Sequence, residues 1–160
     1  MTTEWTKNFE LTGKQREDVL KRCKDTLKKW EIFPPEETVL VLSFGLNEFE
    51  KIGLTEFWIT NNFEEGYCGK FLFLFENQQC PEHYHKQKHE TFFVVKGKVK
   101  MYLNGKEKIL FAGDVLPMAQ GIRHSFIAID GPAYLLETSK PCNAGDNIFT
   151  DKRIGDNGII

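Results

Sequence analysis

The sequence predicts a mainly β protein of one domain with an amphipathic helix at its N-terminus. The chain has 160 residues, of which 41% are hydrophobic, and this suits one domain with a sizeable core. Aromatic residues reach 13% and include 14 Phe, which fits strands with large inward-facing side chains. Many short apolar runs separated by Gly, Asn and Pro are typical of a closed sheet or jelly roll. We expect one domain over residues 1–160, with a helical extension over about 1–35 and a β-barrel with a C-terminal tail over about 36–160.

The first predicted element is a helix over "GKQREDVLKRCKDTLKKW", with Thr12 as its cap. Its apolar residues recur at helical spacing and are Val19, Leu20, Cys23, Leu27 and Trp30. Pro34 and Pro35 are expected to end the helix, because proline lacks the amide that a helix needs. The apolar stripe predicts a helix that packs on the barrel or on a partner subunit.

Strands are predicted next at "TVLVLSFGL", "LTEFWITNN" and "GKFLFLFEN". In the third of these, Phe71, Phe73 and Phe75 would occupy one face and Leu72 and Leu74 the other.

The later strands follow in the same way. The stretch "ETFFVVKGKVKMYLNGKEKILF" contains two strands joined around Lys96-Gly97 and then a hairpin at Asn104-Gly105. "AGDVLPMAQGIRHSFIAID" supplies a turn, a loop and a strand, and "PAYLLETSK" supplies the last long strand.

Charge and hydropathy argue against several classes of partner. The formal net charge is -2 and no block of like charge occurs, so we expect neither nucleic acid nor a membrane surface as a partner. No run of about 18 apolar residues exists, and the N-terminus lacks the apolar stretch of a signal peptide, so the expected location is cytoplasmic. The four cysteines form no CxxC pair and are expected to be free thiols.

Three of the four histidines lie within "CPEHYHKQKHE". His83 and His85 are two residues apart, so on a strand both imidazoles point to the same face. Glu90 begins the next strand, and His124 arrives on a later one. Three imidazoles and one carboxylate suit Zn2+, Mn2+, Fe2+, Ni2+ or Co2+ and leave room for solvent or substrate.

A simpler interpretation is that two histidines on one strand are exposed polar residues. The combination with Gly97 and with Gly113-Asp114 and Gly121-x-x-His124 is far more specific than an isolated His-x-His pair. His89 is expected to face the other side from Glu90 and stays outside the set.

On these residues the sequence resembles the cupin superfamily. The first cupin motif, G-x5-H-x-H-x3-4-E-x6-G, corresponds to His83, His85, Glu90 and Gly97, with Asn77 at the leading glycine. The second motif, G-x5-P-x-G-x2-H-x3-N, corresponds to Gly113, Gly121 and His124, with Ala119 and Ala128 at the proline and asparagine. The resemblance implies a jelly-roll barrel whose metal ligands are His83, His85, Glu90 and His124.

A closer resemblance is to the small bacterial D-lyxose ketol-isomerases. It rests on the order of "FGL", "IGLTEFWITN", "GYCGKFLFLF", "QQCPEHYH" and "NIFTDKRI", where the family has "IFTDPRI" in the tail. It implies a divalent metal, usually Mn2+, that helps to interconvert an aldose and its ketose. This chain has only four residues between His85 and Glu90 and a short hairpin between the two motifs, where the family has longer insertions that could shape the sugar pocket.

Such an isomerase must move a proton between neighbouring carbons, and a carboxylate near the metal can shuttle it through an enediol. Glu137 is the candidate base, because it lies opposite in phase to Leu136 on a strand; the alternative is a glutamate on the barrel rim. Lys88 matches a lysine of the family pattern and is a candidate for catalysis and substrate binding, or else a solvated loop lysine. In "FTDKRI", Asp151 and Arg153 are candidate substrate-binding residues, or Arg153 fixes the tail by pairing with an acid.

The sequence therefore predicts a metal-dependent aldose–ketose isomerase acting on a free sugar such as D-lyxose or D-mannose, with a homodimer expected from the resemblance. One alternative is a cupin dioxygenase, because the same ligands hold Fe2+ or Ni2+ for oxygen chemistry. The other is a sugar-binding cupin without catalysis, as in sensor domains. A single N-terminal helix cannot form the helix-turn-helix that a DNA-binding sensor would need, which argues against this alternative.

Overall fold

The computed structural model describes residues 6–160, which form one α-helix and eleven β-strands in two antiparallel sheets. In chain order the elements are α1 (Gly13–Lys29), β1 (Val39–Leu42), β2 (Leu54–Asn62), β3 (Tyr67–Leu74), β4 (Gln79–Tyr84), β5 (Glu90–Lys96), β6 (Lys98–Leu103), β7 (Lys106–Phe111), β8 (Val115–Met118), β9 (His124–Ala128), β10 (Ala133–Ser139) and β11 (Ile148–Phe149). The predicted β class with one N-terminal helix is confirmed.

The larger sheet has the strand order β1-β2-β3-β10-β5-β8, and the smaller sheet has the order β11-β4-β9-β6-β7. Their inner faces share one apolar core, in which Phe92 of β5 and Phe126 of β9 lie with ring centroids 5.5 Å apart. The chain passes from the larger sheet to the smaller one at Gly97, between β5 and β6. Gly97 has φ +87°, and a Cβ atom there would lie 2.8 Å from the Cα atom of Ala133, so this corner requires glycine.

The alternation of β3 is confirmed, and both of its faces are buried. Leu72 and Leu74 belong to the core between the sheets. Phe73 belongs to a second apolar cluster on the outer face, with Phe71 and Phe75 packed against it. A strand buried on both faces needs a cover for its outer side, and α1 supplies that cover.

The helix α1 packs on the outer face of the larger sheet, as one of the two predicted arrangements. Its buried residues are Val19, Cys23 and Leu27, in the same cluster as Phe57 and Tyr134. Thr12 occupies the N-cap position, but its side chain makes no capping hydrogen bond.

The helix predicted over residues 13–30 is confirmed to within one residue, since α1 ends at Lys29 with Trp30 at its C-cap, but the chain leaves the helix before it reaches Pro34 and Pro35. Glu31 takes a left-handed conformation with φ 59°, and its amide donates to the carbonyl of Lys28 at 3.0 Å. The amide of Ile32 donates to the carbonyl of Leu27 at 3.0 Å, which completes a Schellman motif.

The hairpin turn predicted at Asn104-Gly105 is confirmed. Asn104 and Gly105 both have positive φ, 48° and 80°, as a type I′ hairpin turn requires. The C-terminal tail folds back onto the barrel, since β11 pairs with β4 and Ile154 is buried. The four cysteines are free and buried. Across the described residues, no helix has both the length and the apolar character needed to cross a membrane.

Candidate metal centre and catalytic pocket

Four predicted metal ligands meet in the interior of the barrel. His83 on β4 is the direct cross-strand partner of His124 on β9, because the two strands pair in antiparallel register. Glu90 is the first residue of β5, and His85 directly follows β4. All four side chains are buried, and one ligand atom from each lies within 4.8 Å of the others.

Backbone carbonyl groups orient all three imidazoles. Nδ1 of His83 lies 2.9 Å from the carbonyl oxygen of Pro81, and Nδ1 of His124 lies 2.9 Å from that of Ile122. Nδ1 of His85 makes the same contact with a carbonyl of the tail. A carbonyl only accepts hydrogen bonds, so each Nδ1 carries the proton and each Nε2 keeps its lone pair for a ligand.

The unpaired polar atoms of this cluster fit a cation. Within residues 6–160, Nε2 of His85, Nε2 of His124 and both carboxylate oxygens of Glu90 are buried without a well-formed hydrogen bond. Yet Oε1 of Glu90 lies only 2.9 Å from Nε2 of His124, so two electron-rich atoms face each other. Buried acceptors need a proton or a cation between them, and three imidazole nitrogens with one carboxylate oxygen suit a divalent transition metal.

Electrostatics keep these ligands in their metal-binding forms. Burial lowers the pKa of His83 well below its ordinary value. Burial and the nearby Lys88 ammonium lower the pKa of His85 to about 4. Burial by itself would raise the pKa of Glu90, but Lys88 at 2.6 Å and His124 outweigh it and hold that pKa well below its usual range. Neutral imidazoles and an ionised carboxylate are the states that bind metals.

A row of buried charged side chains extends from this cluster across the larger sheet. We call it the charged row, and its members are Glu90, Lys88, Glu137, Lys70 and Glu56. Nζ of Lys88 lies 2.6 Å from Glu90 and 2.9 Å from Glu137. Nζ of Lys70 lies 3.5 Å from Glu137 and 2.9 Å from Glu56. Three carboxylates and two ammonium groups leave one net negative charge, which a neighbouring cation would offset.

The strand register explains how the charged row arises. Lys70 and Glu137 are direct cross-strand partners on β3 and β10. Glu137 shares the inward face of β10 with Leu135, as Lys70 shares that of β3 with Leu72. The inward position predicted for Glu137 is thus the observed one. Burial by itself lowers the pKa of both lysines, but the adjoining carboxylates raise it above the ordinary value, so both stay charged.

His83 and four members of the charged row, namely Glu56, Lys70, Lys88 and Glu137, line a cavity between the two sheets. Its empty volume is about 620 Å³ with its mouth included. The apolar walls come from both sheets and from the tail, and include Leu42, Phe44, Leu54, Leu72, Phe92, Phe126 and Phe149. Lys88 and Glu137 face this cavity, so the two predicted catalytic residues lie in one polar wall of an otherwise apolar pocket.

Asp146 in the tail supports the loop between β4 and β5, and no pattern in the sequence pointed to this role. Its carboxylate accepts hydrogen bonds from the backbone amides of Lys86, Gln87 and Lys88, at 2.9 to 3.3 Å. Its carbonyl oxygen is the acceptor for Nδ1 of His85. One tail residue therefore holds both a candidate metal ligand and the backbone of Lys88.

Asp151 and Arg153 lie on the surface and do not line this cavity. The Arg153 guanidinium donates to both carboxylate oxygens of Asp151, at 2.6 to 3.1 Å, and 64% of its side chain is exposed. This pairing agrees with the alternative interpretation, in which Arg153 fixes the tail. A role of these two residues in substrate binding stays a prediction.

Comparison with known proteins gives two matching family models and several relatives. The cupin domain model matches residues 72–139, and the D-lyxose isomerase model matches residues 38–104. A D-lyxose/D-mannose isomerase from Thermosediminibacter oceani is 30% identical over 86% of this chain and 91% of its own length. A D-lyxose ketol-isomerase from Cohnella laeviribosi is 30% identical over 74% of this chain and 79% of its own length.

Solved structures show the same fold at lower identity. The L-ribose isomerase of Cellulomonas parahominis superposes with a TM-score of 0.76 at 14% identity, over 92% of this chain and 96% of that one. The L-ribose isomerase of Geodermatophilus obscurus gives 0.72 at 17% identity, over 89% and 93%. These likenesses and the matching models confirm the predicted cupin fold.

Proposed function

The chain belongs to the D-lyxose isomerase family, and from this premise we propose that it is a metal-dependent aldose–ketose isomerase acting on a free sugar. The proposal rests on the contacts of Lys88. Its ammonium pairs both with Glu90, which belongs to the cluster of three histidines and one glutamate, and with the buried carboxylate of Glu137. D-lyxose and D-mannose are the proposed substrates, because relatives at 30% identity carry these sugars in their names.

A divalent cation held by His83, His85, Glu90 and His124 would supply Lewis-acid polarisation of the sugar oxygens next to the reacting carbons. Mn2+ is the proposed ion, and Zn2+, Fe2+, Ni2+ and Co2+ are the alternatives to be compared. The mixed nitrogen and oxygen donors suit any of these ions, so the protein's preference must be measured.

Glu137 is the proposed proton carrier. Its Oε1 atom accepts a hydrogen bond from Lys88 at 2.9 Å, whereas its Oε2 atom has only the longer 3.5 Å contact with Lys70. Oε2 is therefore the oxygen better able to take a proton from one sugar carbon and return it to the next, through an enediol. The apolar walls limit access of water, so the same proton can be returned rather than lost to solvent.

Lys88 is proposed to stabilise negative charge that develops on the sugar oxygens during this transfer. Its side chain is 4% exposed and already fixed between Glu90 and Glu137, so it needs little reorganisation when charge develops. The same ammonium can donate a hydrogen bond to a sugar hydroxyl in the bound state.

The test is to strip the protein with chelator, reload it with Mn2+, and measure ketose formation from a panel of aldoses without oxygen. D-lyxose and D-mannose come first. His83→Ala removes a proposed ligand, and His89→Ala is the matched control, because His89 is exposed and lies outside the cluster. We expect conversion by the wild-type protein and by His89→Ala, and none by His83→Ala.

Failure to convert any sugar, in a protein that still binds one metal per chain, would refute the isomerase proposal. Oxygen uptake with Fe2+ would then point to a dioxygenase. Sugar binding without turnover would point to a binding protein.

The homodimer and the cytoplasmic location belong to the same proposal. Light scattering coupled to gel filtration gives the mass in solution, and a mass near twice 18.6 kDa is the expected result. A mass near one chain would contradict the dimer.

A further inference from the structure

Resting on the proposed function, we propose that Lys70 is a positioning residue for the proton transfer. Its ammonium lies 3.5 Å from the Oε2 atom of Glu137, near enough to orient that carboxylate by charge without a hydrogen bond, and Glu56 with Trp58 hold Lys70 in turn. None of these three residues belongs to the cupin metal-binding motifs.

The sheet places these side chains side by side. Lys70 on β3 is the direct cross-strand partner of Glu137 on β10 and of Trp58 on β2. Its Nζ atom lies 2.9 Å from Oε1 of Glu56 and 4.9 Å from the centre of the Trp58 ring. The indole Nε1 of Trp58 donates to Oε2 of Glu56 at 2.9 Å, so both oxygens of that carboxylate are bound. Glu56 and the Trp58 ring thus fix the ammonium of Lys70 from two sides, next to Glu137.

Two different lysines contact the Glu137 carboxylate, Lys88 through a hydrogen bond to one oxygen and Lys70 through a longer ion pair with the other. Lys88 binds Oε1 at 2.9 Å, and Lys70 lies 3.5 Å from Oε2. A carboxylate with one fixed oxygen can still rotate about that contact, whereas two contacts define its plane. A proton carrier must serve two neighbouring carbons from one position, so a defined plane favours both transfers.

Stability alone gives a poor account of this arrangement. Lys70 is 7% exposed and Glu56 is 5% exposed, so both charges are removed from water. Well-packed apolar residues of similar size often stabilise a protein as well as or better than a buried ion pair does. Both residues also line the cavity that holds Lys88 and Glu137. A role in that cavity explains why charged side chains stand at these inward positions.

The first test is the steady-state kinetics of Lys70→Met, which keeps the length of the side chain but removes its charge. Because Lys70 acts through Glu137, we expect kcat to fall by about 100-fold, the order that small misplacements of a reacting group produce, with KM changed by less than about threefold. Metal content should stay at the wild-type value, since Lys70 contacts no metal ligand in the described structure.

Lys98→Met is the matched control. Nζ of Lys98 lies 2.7 Å from the Asp130 carboxylate and 5.5 Å from the centre of the Phe111 ring, so it has the same two kinds of contact outside the cavity. We expect its kcat and KM to equal those of the wild type.

Two further measurements separate positioning from folding. The double variant Lys70→Met/Glu56→Gln removes the charge that the single variant leaves unpaired, so it folds even where Lys70→Met does not, and it should show the same loss of kcat. Lys70→Ala should regain at least about a tenth of the wild-type kcat when ethylammonium is added, because the cavity gives that cation access to the vacated position. Tetramethylammonium, which cannot donate a hydrogen bond, should give no such recovery.

An active wild type with an unchanged kcat in Lys70→Met or in the folded double variant would overturn this inference and leave the proposed function intact. A loss that appears only in KM would also overturn it, because it would indicate direct substrate binding. A wild type that converts no sugar would overturn the proposed function, and this inference with it.

Discussion

Nδ1 of His85 donates a hydrogen bond to the carbonyl oxygen of Asp146 at 2.9 Å, across 61 positions of the sequence. The carboxylate of the same aspartate binds three successive amides of the loop that follows His85. The position of one candidate metal ligand and the shape of the loop after it therefore depend on the C-terminal tail.

We predict that Asp146→Ala lowers metal affinity by about 10- to 100-fold, the range found when partners of metal ligands are removed. The amides of Lys86, Gln87 and Lys88 lose their shared acceptor, so the tail that supplies the carbonyl partner of His85 is no longer anchored to the loop, although that carbonyl itself remains. Competition with a fluorescent chelator measures the affinity. Asp130→Ala is the control, because Asp130 is 72% exposed and pairs only with a surface lysine in the described structure. Equal affinities of the two variants would contradict the prediction.

Replacement of the proposed proton carrier should abolish turnover without removing the metal. We expect Glu137→Gln to lower kcat by about 10²- to 10⁴-fold, the usual contribution of a general base. Metal content by elemental analysis should remain one ion per chain. Glu107→Gln serves as the control, since Glu107 is 49% exposed and pairs with Lys100 on the surface. A kcat within about twofold of the wild type for Glu137→Gln would exclude Glu137 as the base.

The metal-free protein should lose stability as the pH falls from about 6.5 towards 4. The pKa of His85 is lowered from 6.5 to about 4 by burial and by Lys88. Between pH 6.5 and about pH 4, His85 is protonated in the unfolded chain but neutral in the folded chain. Proton binding therefore stabilises the unfolded state, and the free energy of unfolding falls as the pH is lowered. The shift corresponds to roughly 3 kcal/mol.

Urea unfolding of the chelated protein across this pH range measures the effect. His85→Gln should make the dependence shallower, because it removes one of two buried imidazoles with a lowered pKa, and the other, at His83, remains. His89→Gln should keep it, because His89 is exposed. A wild-type stability that stays constant over this range would refute the prediction.

Two glycines of the cupin motifs should differ in their tolerance of alanine. Gly97 and Gly113 both have positive φ, 87° and 97°. A Cβ atom at Gly97 would overlap the backbone of Ala133, whereas one at Gly113 meets no atom within 4 Å. We expect Gly113→Ala to destabilise by about 1 kcal/mol from backbone strain alone, and Gly97→Ala by at least about 2 kcal/mol more. The midpoints of urea unfolding decide between these values, and equal midpoints would contradict this account.

Periodic patterns allowed much of the fold to be predicted from the sequence. The alternation of Phe and Leu in β3 separated its two buried faces correctly, because side chains of a strand alternate strictly. Asn104-Gly105 indicated the hairpin, because its turn needs positive φ at two consecutive residues and few residue types tolerate positive φ. The helix was predicted to within one residue, but the residue that ends it was not, because the left-handed conformation falls on Glu31, where sequence rules expect glycine or asparagine.

The cluster of His83, His85, Glu90 and His124 was predictable because two short motifs contain its members, whereas the residues that support it come from distant strands. Lys70 and Glu137 meet only through the pairing of β3 with β10, and no short motif records that pairing. One indication did exist in the sequence. Lys70 shares its strand face with Leu72, and Glu56 shares its face with Leu54, so both charges stand at inward positions. A charged residue at a strand position that alternation assigns to the core indicates a polar site in the interior.

The dependence of His85 on Asp146 also fixes an order of events during biosynthesis. A ribosome that adds about 5 to 20 residues per second reaches Asp146 roughly 3 to 12 s after His85. During that interval the growing chain already carries His83, His85 and Glu90, but the loop between them has no anchor. The loop after His85 thus acquires its final shape only once the tail has been translated, and the stretch around Asp146 sets the earliest time at which the cluster of His83, His85, Glu90 and His124 is complete.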